Sequence, residues 1–132
     1  MLAFLINCQG DRPMPYVDGF VVPVPKKNVR KYLRLARLAG KVWREHGALE
    51  FRECTADDVK PGKLTSFPQS VMLRRGETVF FSWIVYRSRA HRDRVIARVM
   101  KDPRIAAMMN PKAMPFDGKR MIYGGFRVLV DA

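Results

Sequence analysis

Residues 78–86 read TVFFSWIVY, and the fold follows from how this stretch is covered. Aromatic and β-branched side chains dominate it, which makes it a strand. Its two alternating sets, Val79, Phe81, Trp83 and Val85 on one side and Phe80, Ser82, Ile84 and Tyr86 on the other, are both mostly apolar. A strand apolar on both faces belongs at the centre of a sheet with both faces covered.

Working outward, element types alternate along the chain. Upstream, Tyr16 to Pro23 (YVDGFVVP) is rich in β-formers, and Pro23 and Pro25 close it because neither can donate to a ladder. Asn28 stands before an apolar-periodic stretch reaching His46, and Gly47 is placed for a left-handed helix stop. Ala48 to Thr55 reads as a second strand. Asp57 to Phe67, with Pro61, Gly62 and Ser66, carries turn chemistry, while Phe67 to Arg75 shows no decisive pattern. Downstream, Ser88 caps a helix running to about Lys101, a short helical turn follows at Ile105 to Asn110, and a last strand takes Gly125 to Val130.

The order strand, helix, strand, strand, helix, strand is that of an α+β chain, a ferredoxin-like split βαβ unit. Such a unit leaves one sheet face bare, and here that face is apolar. The cheapest cover is the same face of a second copy, so the expectation is a homodimer in the form of a dimeric α/β barrel. The first helix points the same way. Val29, Leu33, Ala36, Gly40 and Trp43 form one stripe at about 100° per residue, and Leu35, Leu38 and Val42 widen it to a flank that wants a partner surface. Arg30, Arg34, Arg37, Lys41 and Arg44 share one side of the same helix, where solvent, acid or phosphate must relieve their repulsion.

The chain has 132 residues, 48% of them hydrophobic, and 25 basic against 12 acidic side chains give a net charge of +13. That length holds one domain and excludes a multidomain enzyme with a nucleotide module. The alternating pattern begins after residue 13, so the domain is assigned to 14–132. Residues 1–13 are an extension, with Met14 a candidate start and Leu2 to Ile6 as an added edge strand the alternative. Cys8 and Cys54 form no CxxC and two histidines accompany them, too few ligands for a disulfide scaffold or a structural zinc. No apolar run approaches the about 20 residues of a membrane span. The reading is a reduced, cytoplasmic protein with no membrane and no metal or other cofactor.

Several segments together, YVDGFVVPVP at 16–25, GALEFRECTADDV at 47–59, FSWIVYRS at 81–88 and MPFDGKRMIYGGF at 114–126, resemble the YbaA-like family of uncharacterised bacterial proteins. The resemblance spans Met14 to Asp131 and implies a ferredoxin-like unit pairing sheet to sheet as a dimeric α/β barrel. It brings no catalytic residues. The wider superfamily holds cofactor-free monooxygenases, haem-degrading enzymes and isomerases, so the fold selects no chemistry. Trp83 and His91 are similar to the haem-degrading branch, but Asp18 stands where that branch has Asn. A carboxylate there would repel haem propionates or a peroxo-iron group.

Candidate site residues follow from polar groups in apolar settings. Asp18, inside the first strand, is a candidate general base if burial raises its pKa, or an ion-pair partner if it does not. His91 borders the apolar face of the second long helix and is the second catalytic candidate. Phe20, Phe81, Trp83 and Ser82 are placed at an apolar pocket between sheet and helices, with Cys54 as a polar neighbour. Lys119, Arg120 and Tyr123 follow a tight charged turn and are placed at the pocket mouth, facing an anionic ligand, or else lock a loop at the rim. Glu50, Glu53, Asp57 and Asp58 are read as solvated charge, or as an acidic patch met by the basic helix of a second copy, rather than a metal site, because strand residues 50 and 53 point to opposite faces.

Two functions compete. The leading one is binding or transforming a small apolar or aromatic molecule, in the manner of a cofactor-free monooxygenase or an isomerase. The alternative is a nucleic-acid-binding module using the basic face of the first helix, although no RNP-like motif, helix-turn-helix or zinc finger accompanies the charge.

Overall fold

The structure is a computed structural model and describes residues 14–132. The expectations for 1–13, including an edge strand at Leu2 to Ile6, lie outside the described residues. The chain is a mixed α+β fold. Strand β1 (Tyr16–Pro25), helix α1 (Val29–Glu45), strand β2 (Glu50–Thr55), the one-turn helix α2 (Phe67–Ser70), strand β3 (Glu77–Tyr86), helix α3 (Arg89–Met100), helix α4 (Pro103–Met108) and strand β4 (Ile122–Arg127) follow one another in sequence. The four strands form one antiparallel sheet in the order β2-β3-β1-β4.

Pairing of β1 with β3 runs from Tyr16↔Tyr86 to Pro25↔Glu77. The β4 ladder ends at Val21↔Ile122, so Pro23 and Pro25 lie where β1 has a partner on one side only. A missing N–H costs nothing there, and the strand runs through both prolines instead of stopping at them. The last strand starts three residues earlier than the glycine pair suggested. Gly124 and Gly125 lie within the ladder because the Tyr16 ring packs onto Gly125, where a Cβ would fall 2.3 Å from Tyr16 Oη.

Helix α1 starts from a 3₁₀ turn (Lys26–Asn28), and Asn28 makes no side-chain cap. Its Nδ2 donates instead to the Pro115 carbonyl at 3.0 Å, tying the helix start to the loop before β4. Gly47 takes φ +115° at the other end, a conformation that favours glycine. Ser88 caps α3 by accepting from the His91 N–H, and Ser66 caps α2 from Gln69.

One sheet face, carrying Tyr16, Phe20, Val22, Phe80, Ile84 and Tyr86, holds the core against the helices. The α1 flank that was expected to seek a partner chain is covered from within. Val42 is fully buried in one cluster with Val95, Val99 and Ile105 of α3 and α4, and Leu38 packs against the same cluster. On the opposite face, Val71 and the connection before β3 cover Val21 and Val79. Beyond them Phe81, Ile122 and Phe126 are exposed. No helix among the described residues is long and apolar enough to cross a membrane.

Candidate functional site

Between α1 and the core face of the sheet lies a cavity of about 260 Å³. Phe20, Tyr32, Trp43, Phe51, Ile84 and Phe116 contribute to its walls, and five methionines, Met100, Met108, Met109, Met114 and Met121, line it from α3, α4 and the segment before β4. Methionine is unbranched and polarizable, so such a wall adapts to flat or flexible apolar shapes.

The polar groups of this cavity are concentrated on one wall. Register places Glu53 of β2 directly opposite Ser82 of β3, on the core face that Ile84 and Phe51 share. Side chains so paired stand about 5 Å apart at Cβ. Tyr32, reaching in from α1, donates its hydroxyl to Glu53 Oε2 at 2.7 Å. Burial pushes the Glu53 carboxyl above the usual carboxylate range, against the Tyr32 hydrogen bond, which lowers it. Tyr32 is itself pushed upward by burial and by the Glu53 charge.

Among the described residues, Arg92 Nε is the one buried side-chain nitrogen or oxygen without a hydrogen bond; it lies 3.0 Å from Asp93 Oδ1 but off the N–H direction. Glu53 and Ser82 both line the cavity, and neither Glu53 Oε1 nor Ser82 Oγ makes a hydrogen bond to the described residues. The wall therefore offers one acceptor and one hydroxyl to a bound molecule.

The residues singled out in the sequence fall in several places. Phe20 and Ser82 line the cavity. Phe81 and Trp83, placed with them, lie on the opposite sheet face, because side chains alternate along β3 and only its even-numbered residues look toward the helices. There Phe81 packs edge-on to Phe67 at 5.7 Å and beside Trp83 at 5.7 Å. Cys54 pairs with Phe81 and shares that outer face.

Asp18 is buried on the core face but does not line the cavity. Its Oδ1 accepts from Arg92 Nη1 at 3.3 Å, and the Arg92 guanidinium lies over the Tyr16 ring, 5.0 Å from the centroid. Burial raises the Asp18 pKa and the Arg92 charge opposes that rise. His91 is buried beside Tyr86, its ring 6.0 Å from the tyrosine ring, and its Nδ1 accepts from the Arg87 N–H at 2.9 Å. Burial, followed by the cations Arg87, Arg94 and Arg98, lowers its pKa and so disfavours the charged imidazole. It too stands outside the cavity lining.

Arg120 is corrected from pocket mouth to interior. It is buried in a two-point bridge to Glu77, at 2.8 and 2.6 Å, with Asp117 Oδ2 at 3.1 Å and the Met72 carbonyl at 3.1 Å. This is the locked-loop arrangement. Lys119 is exposed, and the exposed Tyr123 stacks on Phe20 at 6.1 Å between centroids. Glu53 is the residue that sequence reasoning missed. Counting by twos from Phe51 puts it on the buried face, a signal that its charge obscured.

A family model described as "Protein of unknown function (DUF1428)" matches residues 15–118. Among curated relatives, proteins called "Uncharacterized protein YbaA" from Escherichia coli (strain K12), Escherichia coli O157:H7 and Shigella flexneri are each 47% identical over 118 residues, covering 89% of this chain and 99% of the relative.

Proposed function

This chain belongs to the DUF1428 family, and on that premise we propose that it binds a small apolar or aromatic molecule in the cavity between α1 and the sheet. The observation that carries this reading is the contrast within the cavity wall. Apolar and methionine side chains surround one local pair of oxygens, Glu53 Oε1 and Ser82 Oγ, that are unengaged among the described residues. Binding sites for small molecules have this composition, with a greasy enclosure and a few placed polar groups that fix orientation. Phe20 and Ser82 belong to the site, with Glu53 and Tyr32 added to them.

The assembly in this reading is a ferredoxin-like domain, residues 14–132, that pairs through its outer sheet face as a dimeric α/β barrel. The strand order β2-β3-β1-β4 and the packing of α1 and α3 on one face support the first part. An apolar groove formed by Val17, Phe81, Trp83, Ile122 and Phe126 supports the second.

A titration with 1-naphthol, an aromatic small enough for the cavity and carrying one hydroxyl, tests the binding reading. Saturable heat of binding is expected from the wild-type chain and its loss from Ala39→Phe, which fills the cavity from α1. Equal binding by Ala39→Phe would overturn the assignment.

A second reading rests on Arg30, Arg34, Arg37 and Lys41, which form no ion pair among the described residues and continue along one side of α1. Such a stripe suits a phosphate backbone. Affinity for duplex DNA or RNA that falls steeply with salt, and that collapses in Arg34→Ala/Arg37→Ala, would support it.

A further inference from the structure

The mostly apolar cavity wall carries one half-buried carboxylate, Glu53, with one oxygen held by Tyr32 and the other without a partner among the described residues. We propose that Glu53 acts as a general base towards a carbon acid held in this cavity. The substrate class is an apolar molecule with an acidic C–H group next to an electron-withdrawing oxygen function, and Ser82 donates a hydrogen bond to that oxygen.

This inference rests on the binding reading above and adds chemistry to it. Three observations carry it. The Tyr32 hydroxyl, 2.7 Å from Glu53 Oε2, fixes the carboxylate orientation while Oε1 has no hydrogen-bond partner among the described residues. Ser82 lies directly opposite Glu53 in the β2/β3 register, so a small planar molecule can meet both groups along one edge. Partial removal of the carboxylate from bulk water thins its competing hydrogen bonds and makes it a stronger base, in line with the direction of its pKa.

The proton balance closes within the site. The Glu53 carboxylate takes the C–H proton, the C–H electron pair becomes a new multiple bond, and a bond to oxygen breaks so that its pair moves onto that oxygen: the π bond of a carbonyl, or the N–O bond of a benzisoxazole. The Ser82 hydroxyl stabilises the charge that grows there. Glu53 then returns the proton to carbon, to oxygen or to water, and no electrons leave the pair. Asp18 and His91 do not compete for this role, since Arg92 occupies one and the Arg87 N–H the other.

The charged and titratable groups around Glu53 are few. Helix α1 presents Tyr32 on the cavity side, and Arg37, Lys41 and Arg44 across the neighbouring groove that Glu53 also borders. Strand β3 presents the neutral Ser82, and on β2 itself Arg52 borders both the cavity and the groove.

The test uses 5-nitrobenzisoxazole, a carbon acid whose deprotonation breaks its N–O bond and releases a coloured cyanophenolate. The wild-type chain is expected to accelerate this elimination on the order of 100-fold over buffer. Glu53→Gln should abolish the acceleration. In Tyr32→Phe the ionisation seen in the pH–rate profile should move to higher pH, because the hydrogen bond that favours the carboxylate is gone. Ser82→Ala should be several-fold slower with an unmoved profile. A rate retained in Glu53→Gln, or a wild-type rate no greater than that variant's, overturns the proposal. Binding of 1-naphthol separates the two levels of the reading. Naphthol binding without a Glu53-dependent rate refutes the base alone, whereas no naphthol binding by the wild-type chain refutes the site and the base together.

Discussion

Tyr32 and Glu53, one from the long first helix and one from the edge strand, meet hydroxyl to carboxylate at 2.7 Å and clamp the cavity wall between them. The bond holds α1 to β2 at a place where Tyr32 is buried and Glu53 is half-buried. Tyr32→Phe keeps the ring packed on Phe80, whose centroid is 4.6 Å away, but leaves the carboxylate without its donor. The expected loss is about 1–3 kcal/mol, read as a lower urea midpoint at unchanged slope.

Glu53→Gln is expected to stabilise the fold at neutral pH. The folded pKa of Glu53 lies above its unfolded value, so the folded state binds the proton more tightly, and stability falls as pH rises through that folded pKa. Glutamine can still accept from Tyr32 and carries no charge to desolvate. A melting temperature about 3 °C higher at pH 7, with the gain vanishing near pH 4, is the expected result of calorimetry.

Arg120 and Glu77 behave in the opposite sense. Arg120 holds the Glu77 carboxyl below the usual range, so their pairing stabilises the fold above the unfolded pKa of glutamate and is lost as pH falls through the lower folded value. Arg120→Met leaves Glu77 buried without its cation and removes the bonds to Asp117 and the Met72 carbonyl. A loss of about 3 kcal/mol is expected in denaturant unfolding, with Lys119→Met near zero as the exposed control.

Asp18→Asn tests whether the first-strand carboxylate is an ion-pair partner. The substitution should lower the melting temperature by several degrees, because Arg92 loses its charged acceptor beside Tyr16. Affinity for 1-naphthol should stay the same. A tenfold weaker binding would move Asp18 into the ligand site.

Phe81→Glu addresses the outer sheet face. Phe81 is 42% exposed between Phe67 and Trp83, so a charge there is tolerated by one chain but not by two faces packed together. Sedimentation of the wild-type chain as a dimer and of Phe81→Glu as a folded monomer is expected. A wild-type monomer at micromolar concentration would refute the pairing.

Much of this architecture is legible in the residues. TVFFSWIVY gives the central strand, and Ser88 and Gly47 mark helix ends through a hydroxyl that can cap and a backbone that can turn left-handed. The start of α1 is less legible, because Asn28 spends its side chain on Pro115, a contact 87 positions away. The glycines of β4 read as a bend because their reason, the ring of Tyr16, lies on a neighbouring strand. The candidate site was legible only in part. Ser82 and Phe20 stand out as cavity residues, but Phe81 and Trp83 share their segment while facing away. Glu53 sits in EFRECT among charges that resemble a solvated edge, and only the helix that lands on it, bringing Tyr32, makes it a half-buried, hydrogen-bonded group.

The most direct measurement of the central claim is a methyl-detected NMR titration of the methionine-labelled chain with 1-naphthol. Met108, Met114 and Met121 line the cavity, while Met72 stands 68% exposed at the far side of the sheet region. Saturable shifts of the first three, with Met72 unmoved and with all shifts abolished by Ala39→Phe, are the predicted result. Cavity methionines that stay still while naphthol binds elsewhere, or that shift no more than Met72, would contradict it.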